Sequence, residues 1–124
     1  MFDGDRMLTD FGAELVEVGD GFATIRMTLD ARFVQAHGTA HGGVLFTLAD
    51  GAFGVACNTG PNPAVAQHCT ISYLAPAQVG EELTVAVRRN KQTGRTGIYD
   101  GTIVTGDGKD IAEFRGISRT LPKR

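Results

Sequence analysis

Residues Gly42 to Asn58 read Gly-Gly-Val-Leu-Phe-Thr-Leu-Ala-Asp-Gly-Ala-Phe-Gly-Val-Ala-Cys-Asn. The run is too long and too rich in Ala and Leu for a strand, so it predicts a helix from about residue 42 to 57. Thr47, Asp50, Gly51 and Gly54 recur at helical spacing as a narrow stripe of polar and small residues, and the remaining faces are apolar almost all round. Such a helix cannot face water and must be wrapped by other elements.

The flanking segments are strand-like. From Phe22 to Leu29, Ala23, Ile25, Met27 and Leu29 alternate with Thr24, Arg26 and Thr28, the pattern of a half-buried strand. Asp20-Gly21 joins it to Glu14–Val18 as a hairpin. Leu83, Val85 and Val87 alternate with Thr84, Ala86 and Arg88, and Thr96–Thr105 and Ile111–Leu121 follow around Asp107-Gly108, so the C-terminal half reads as an antiparallel meander. Ala64 to Leu74, stopped by Pro76, mixes Val65, Cys69, Ile71 and Tyr73 with Ala66, His68 and Thr70, which suits a central strand covered on both faces. No linker or repeat divides the chain. The expectation is one α+β domain over residues 1–124, an antiparallel sheet wrapping a central helix.

Composition excludes several classes of function. The formal charge of −2 gives no global attraction to nucleic acid or an anionic membrane. It conceals an asymmetry: nine basic residues against four acidic ones from Arg88 onward, and three against ten before it. The basic third is a candidate surface for an anionic ligand, or simply a solvated face. No apolar run is long enough to span a membrane and no signal-peptide pattern opens the sequence, so a cytoplasmic address is expected. Cys57 and Cys69 lie in apolar segments without CxxC spacing and read as buried free thiols.

Asp50 is the most informative residue. Histidines aside, it is the only charged residue between Arg32 and Glu81, and it falls mid-helix where it cannot cap. A buried carboxylate costs several kcal/mol unless compensated, so either Thr47 or nearby backbone holds it, or chemistry uses it. Gly42-Gly43, after His41, opens the same helix, where free backbone N–H groups and the helix dipole favour a developing oxyanion. Eight residues of helix separate Gly42 from Asp50, ~12 Å along the axis. One carbonyl cannot be served by both within one chain, whereas two antiparallel helices related by a two-fold axis would bring one subunit's Asp50 to the other's Gly42. His37 and His41 lack the further ligands of a metal site; His41 reads as a loop-orienting residue and His68 as a satisfied core histidine. Arg95, in the turn Gly94-Arg95-Thr96-Gly97, is placed to meet a phosphate or to sit solvated.

His37-Gly-Thr-Ala-His41-Gly-Gly with Leu48-Ala-Asp50, Ala64-Val-Ala-Gln-His-Cys-Thr-Ile-Ser-Tyr73, Gly94-Arg-Thr-Gly-Ile-Tyr-Asp100 and Ile111-Ala-Glu-Phe-Arg-Gly116 together resemble the hotdog-fold acyl-CoA thioesterases, nearest the phenylacetic-acid-degradation branch. The resemblance runs from about residue 11 to residue 121. It implies a long helix wrapped by a curved antiparallel sheet, a two-fold dimer with a continuous sheet and usually a tetramer. With the spacing of Asp50 and Gly42 the dimer would have composite sites, and a thioester's good leaving group lets one carboxylate and an oxyanion hole suffice without metal or cofactor. The resemblance also implies that Asp50 acts as nucleophile or as general base on water and that the Gly42 N–H, with Gly43 beside it, receives the oxyanion. Gln35 stands where relatives often carry an Asn that positions water or thioester. Ala66 replaces a water-orienting Ser, for which Thr47 is the available substitute.

The implied substrate is phenylacetyl-CoA or a ring-hydroxylated derivative. His41, Phe46, Phe53 and Tyr73 are candidates to contact the substrate, and Arg88, Arg89, Lys91 and Arg95 to meet its phosphates. Two alternatives stand beside this reading: a hotdog dehydratase of 3-hydroxyacyl thioesters, for which Asp50 lacks a histidine partner on the helix, and a non-catalytic acyl-CoA-binding module, which has little use for a costly carboxylate.

Overall fold

The computed structural model describes residues 2–122. After a short helix α1 (Arg6–Asp10), strands β1 (Glu14–Gly19) and β2 (Phe22–Thr28) form the expected hairpin. A loop leads into the long helix α2 (Gly42–Ala56), followed by β3 (Ala64–Tyr73), β4 (Glu82–Thr93), β5 (Thr96–Thr105) and β6 (Asp110–Thr120). The six strands make one antiparallel sheet in the order β1-β2-β4-β5-β6-β3. This is the hotdog arrangement of a helix laid in a curved sheet.

The core lies between α2 and the sheet. Alternation along β2 and β4 places Ala23, Ile25, Met27, Leu83, Val85 and Val87 inward against Leu48, Ala49, Ala52 and Phe53 of α2, all almost fully buried. Phe53 lies against Tyr99 and Phe114 at centroid distances of 5.5 and 5.7 Å. Gly116 of β6 makes that possible, because a Cβ there would stand 2.8 Å from three Phe53 ring atoms. Gly51 does the same for the N-terminal segment, since a Cβ would meet the Leu8 side chain at 2.5 Å. Leu8 is fully buried, so α1 is pinned to α2 one residue from Asp50.

The structure corrects three expectations. β3 is an edge strand of the single chain, paired only with β6, and most of its residues are exposed. Its mixed apolar pattern therefore does not report burial on two faces within this chain. His68 is accordingly exposed on β3 instead of resting in the core, and the two cysteines are free but only partly buried.

Candidate active site

The loop before α2 builds the first half of the site. Val34 and Ala40 form a bridge, the His41 N–H donates to the Phe33 carbonyl at 2.8 Å, and the Ala40 N–H donates to the Ala77 carbonyl at 2.9 Å. His41 is the N-cap of α2, and its Nδ1 accepts from the Gly43 N–H at 3.0 Å. The Gly43 donor is therefore occupied. Among the described residues no hydrogen bond uses the Gly42 N–H. The Gly42 carbonyl accepts from the Tyr73 hydroxyl at 2.8 Å. Gly42, Gln35, Thr39, Leu45, Tyr73 and Pro76 line a cleft of about 450 Å³. Within it Gln35 Nε2 donates to Thr39 Oγ1 at 2.9 Å, which leaves its amide oxygen available.

Asp50 lies two turns along α2 in a second cleft of about 280 Å³, shared with Asp5, Gly54, Cys57, Asn58 and Val65. The carboxylate is half-buried rather than fully enclosed. Thr47 does not hold it, because Thr47 Oγ1 donates back to the Gly43 carbonyl at 2.9 Å. The Cys69 thiol approaches Asp50 Oδ1 instead, at 3.9 Å. Burial pushes the Asp50 carboxyl above its ordinary value, the negative charge of Asp5 adds to the push, and the Cys69 thiol opposes it. Burial also raises both thiols, Cys57 and Cys69, to about 11, so neither is a thiolate nucleophile at neutral pH.

An unpartnered N–H at a helix start and a carboxylate with raised proton affinity are the two elements that acyl transfer requires. The thioesterase superfamily profile matches residues 37–112, which spans both halves of this site. The chain belongs to the thioesterase superfamily. Acyl-coenzyme A thioesterase PaaI of Escherichia coli is 39% identical over 98% of this chain and 86% of that protein. Its structure superposes with a TM-score of 0.96 at 38% identity, covering 99% of this chain and 89% of that one. A single-residue mutant of the phenylacetic acid degradation protein PaaI from Thermus thermophilus superposes at 0.90 with 33% identity, covering 94% and 100% of the two chains. Human acyl-coenzyme A thioesterase 13 is 31% identical over 82% of this chain and 74% of that protein.

In this member of the superfamily the remaining candidates are dispersed. The Phe53 ring is committed to the core at 1% exposure, and Phe46 stands edge-on to Phe114 at 6.1 Å. The Arg88 guanidinium stacks over Phe22 at 5.0 Å, Arg89 pairs with Asp20 at 3.2 Å, and Arg95 Nε donates to the Thr120 carbonyl at 3.1 Å. Lys91 is exposed on β4. The basic third is thus partly neutralised within the chain, notably at Arg115 and Asp100, 2.7 Å apart.

Two contributors carried no recognisable sequence signal. Asn58 ties the end of α2 to β3, donating to the Gly54 and Ala64 carbonyls at 2.8 and 3.0 Å and accepting from the Ala64 N–H at 2.9 Å. Asp5 reaches the Asp50 cleft from an otherwise unremarkable N-terminal stretch.

Proposed function

We propose that the protein is an acyl-CoA thioesterase that hydrolyses phenylacetyl-CoA or a ring-hydroxylated relative, with Asp50 and the Gly42 N–H contributed to each site by different protomers. The observation that carries this reading is the separation of the two groups into distinct clefts, ~12 Å apart along one helix. A two-fold copy with an antiparallel α2 brings them together. The unpaired edge of β3, with Val65 and Tyr73 about half exposed, supports such a partner, because a long edge strand is a template for another strand. The names of the relatives support the acyl-CoA substrate and the phenylacetyl group.

In this site the thioester carbonyl oxygen accepts the Gly42 N–H, and negative charge grows on it as the tetrahedral intermediate forms. Asp50 either takes the proton of an attacking water or attacks as a carboxylate and is released by water. Collapse breaks the C–S bond, CoA leaves as a thiolate and is reprotonated, and the free acid remains. A raised proton affinity makes Asp50 a stronger base when ionised.

A thiol-release assay with phenylacetyl-CoA, 3-hydroxyphenylacetyl-CoA and a straight-chain panel tests the activity. Aryl substrates should turn over fastest, and hydrolysis no faster in wild type than in Asp50→Asn overturns the reading. Mixing Asp50→Asn with Gly42→Pro subunits tests the shared site: random pairing gives hybrids with one intact site and restores about a quarter of wild-type activity. No recovery after subunit exchange overturns the composite arrangement.

A further inference from the structure

The superfamily match begins at residue 37, yet the cleft around Asp50 is lined in part by Asp5, a residue far upstream of it. Three contacts fix that residue. Leu8 is fully buried against the bare face of α2 at Gly51, beside Asp50 in sequence. Asp5 is the N-cap of α1, its Oδ1 accepting from the Leu8 N–H at 3.1 Å, so the buried leucine and the acidic cap are one rigid unit. The Asp5 N–H donates to the Phe2 carbonyl at 2.9 Å, which fixes the chain entering the turn. The Asp5 side chain thereby borders the cleft that holds Asp50.

We propose that Asp5 is a positioning residue for the reaction at Asp50: the N-terminal segment, seated by Leu8 on Gly51, holds a second negative charge against the reacting carboxylate. Within the chain the titratable groups around Asp50 are Asp5 from the N-terminal segment, Cys57 at the C-cap of α2 and Cys69 from β3. Both cysteines are neutral thiols in the working pH range, which leaves Asp5 as the charged neighbour that the chain itself supplies. Its field disfavours ionisation of Asp50 in the same direction as burial does. The unit works as a lever: Leu8 provides the seat, the cap bond fixes the angle, and the carboxylate supplies the charge.

The inference rests on Asp50 as the reacting carboxylate, so its test reads Asp50 directly as well as through activity. Asp5→Asn removes the charge and keeps the cap, because Asn and Asp cap equally well; Asp5→Ser does the same with a shorter side chain. The Asp50 carboxyl is titrated by carbon-13 NMR on aspartate-labelled protein, with its signal assigned by loss in Asp50→Asn, and the pH profile of kcat/KM is recorded alongside. In both Asp5 variants Asp50 should titrate at lower pH than in wild type, with the acid limb of the profile moving the same way and the melting temperature nearly unchanged. An Asp50 titration that does not move in either folded variant overturns the proposal, because a purely structural cap would leave it in place. A titration that moves while the acid limb stays fixed upholds the electrostatic role of Asp5 and overturns Asp50 as the reacting group.

Discussion

The Tyr73 hydroxyl donates to the Gly42 carbonyl at 2.8 Å, across the space between β3 and the start of α2. The other end of that same peptide, the Gly43 N–H, donates to His41 Nδ1. The peptide following Gly42 is therefore gripped at both ends, and the peptide before it is fixed through the His41 carbonyl, which accepts from Val44 at 3.0 Å. Between the two grips lies the Gly42 N–H, which has no hydrogen-bond partner among the described residues and belongs to a residue lining the cleft. A donor that need not reorient as charge develops is worth more than a mobile one.

Tyr73→Phe removes one grip and nothing else of size. Its expected effect is a fall in kcat of about fivefold, the worth of one neutral hydrogen bond of ~1 kcal/mol, with KM little changed. Steady-state kinetics on the preferred thioester read this directly, and an unaltered kcat would show that the peptide holds its orientation without Tyr73.

Gly42→Pro deletes the donor itself. Gly42 is the first residue of α2, where proline is well accommodated, and His41 at φ −66° and ψ 133° already has the conformation favoured before proline. A Cβ at Gly42 would stand 3.2 Å from the Tyr73 ring and hydroxyl, so Tyr73 must give by a few tenths of an ångström. The protein should still fold by circular dichroism while kcat drops by about 10²- to 10³-fold, the loss typical of an oxyanion donor and well beyond the fivefold expected of Tyr73→Phe. Wild-type turnover in this variant would place the oxyanion elsewhere.

Asp50→Asn should abolish turnover and, above neutral pH, raise the melting temperature. Burial lifts the Asp50 carboxyl above its ordinary 3.8, so the folded state holds this proton more tightly than the unfolded chain does. Ionised Asp50 therefore costs the fold stability, in full above its folded value, and the cost disappears as pH falls below 3.8. Melting curves of the two proteins should be separated at pH 8 and converge in acid. A wild type more stable than the variant at pH 8 contradicts this account of the carboxylate.

Gly116→Ala tests the packing beneath α2. The added methyl meets the Phe53 ring at 2.8 Å, and Tyr99 and Phe114 leave that ring nowhere to go. The expected cost is about 1–3 kcal/mol, seen by calorimetry as a melting temperature lower by roughly 5 °C or more.

Local pattern made most of this fold legible. The alternation in β2 and β4 and the apolar density of α2 report burial directly; the limits of β2, α2 and β5 lie within about a residue of those expected, whereas β4 runs on past the alternating residues 83–88 to Thr93. β3 misled because its apolar residues do not mark burial within this chain: the strand pairs with β6 alone, and Val65, His68 and Tyr73 are exposed. Asp50 and Gly42 stood out because a lone charge and a glycine pair interrupt an apolar helix. The bond from Thr47 to the Gly43 carbonyl, the Tyr73 grip and the place of Asp5 were not legible, since each depends on where a side chain turns or on elements brought together from distant positions.

The strand order has a consequence for biosynthesis. β3 is made directly after α2, yet its ladder runs only to β6, from Ala64 opposite Thr120 to Tyr73 opposite Ala112. During translation β3 must wait, unpaired, while β4 and β5 emerge, and it docks only when the last strand has been made. A product cut short before residue 110 can pair β1-β2-β4-β5 but has nowhere to seat β3, and it leaves β5 as an unpaired edge where the full chain has β6. Completion of the sheet is in this way reserved for chains whose synthesis has run to the end of β6.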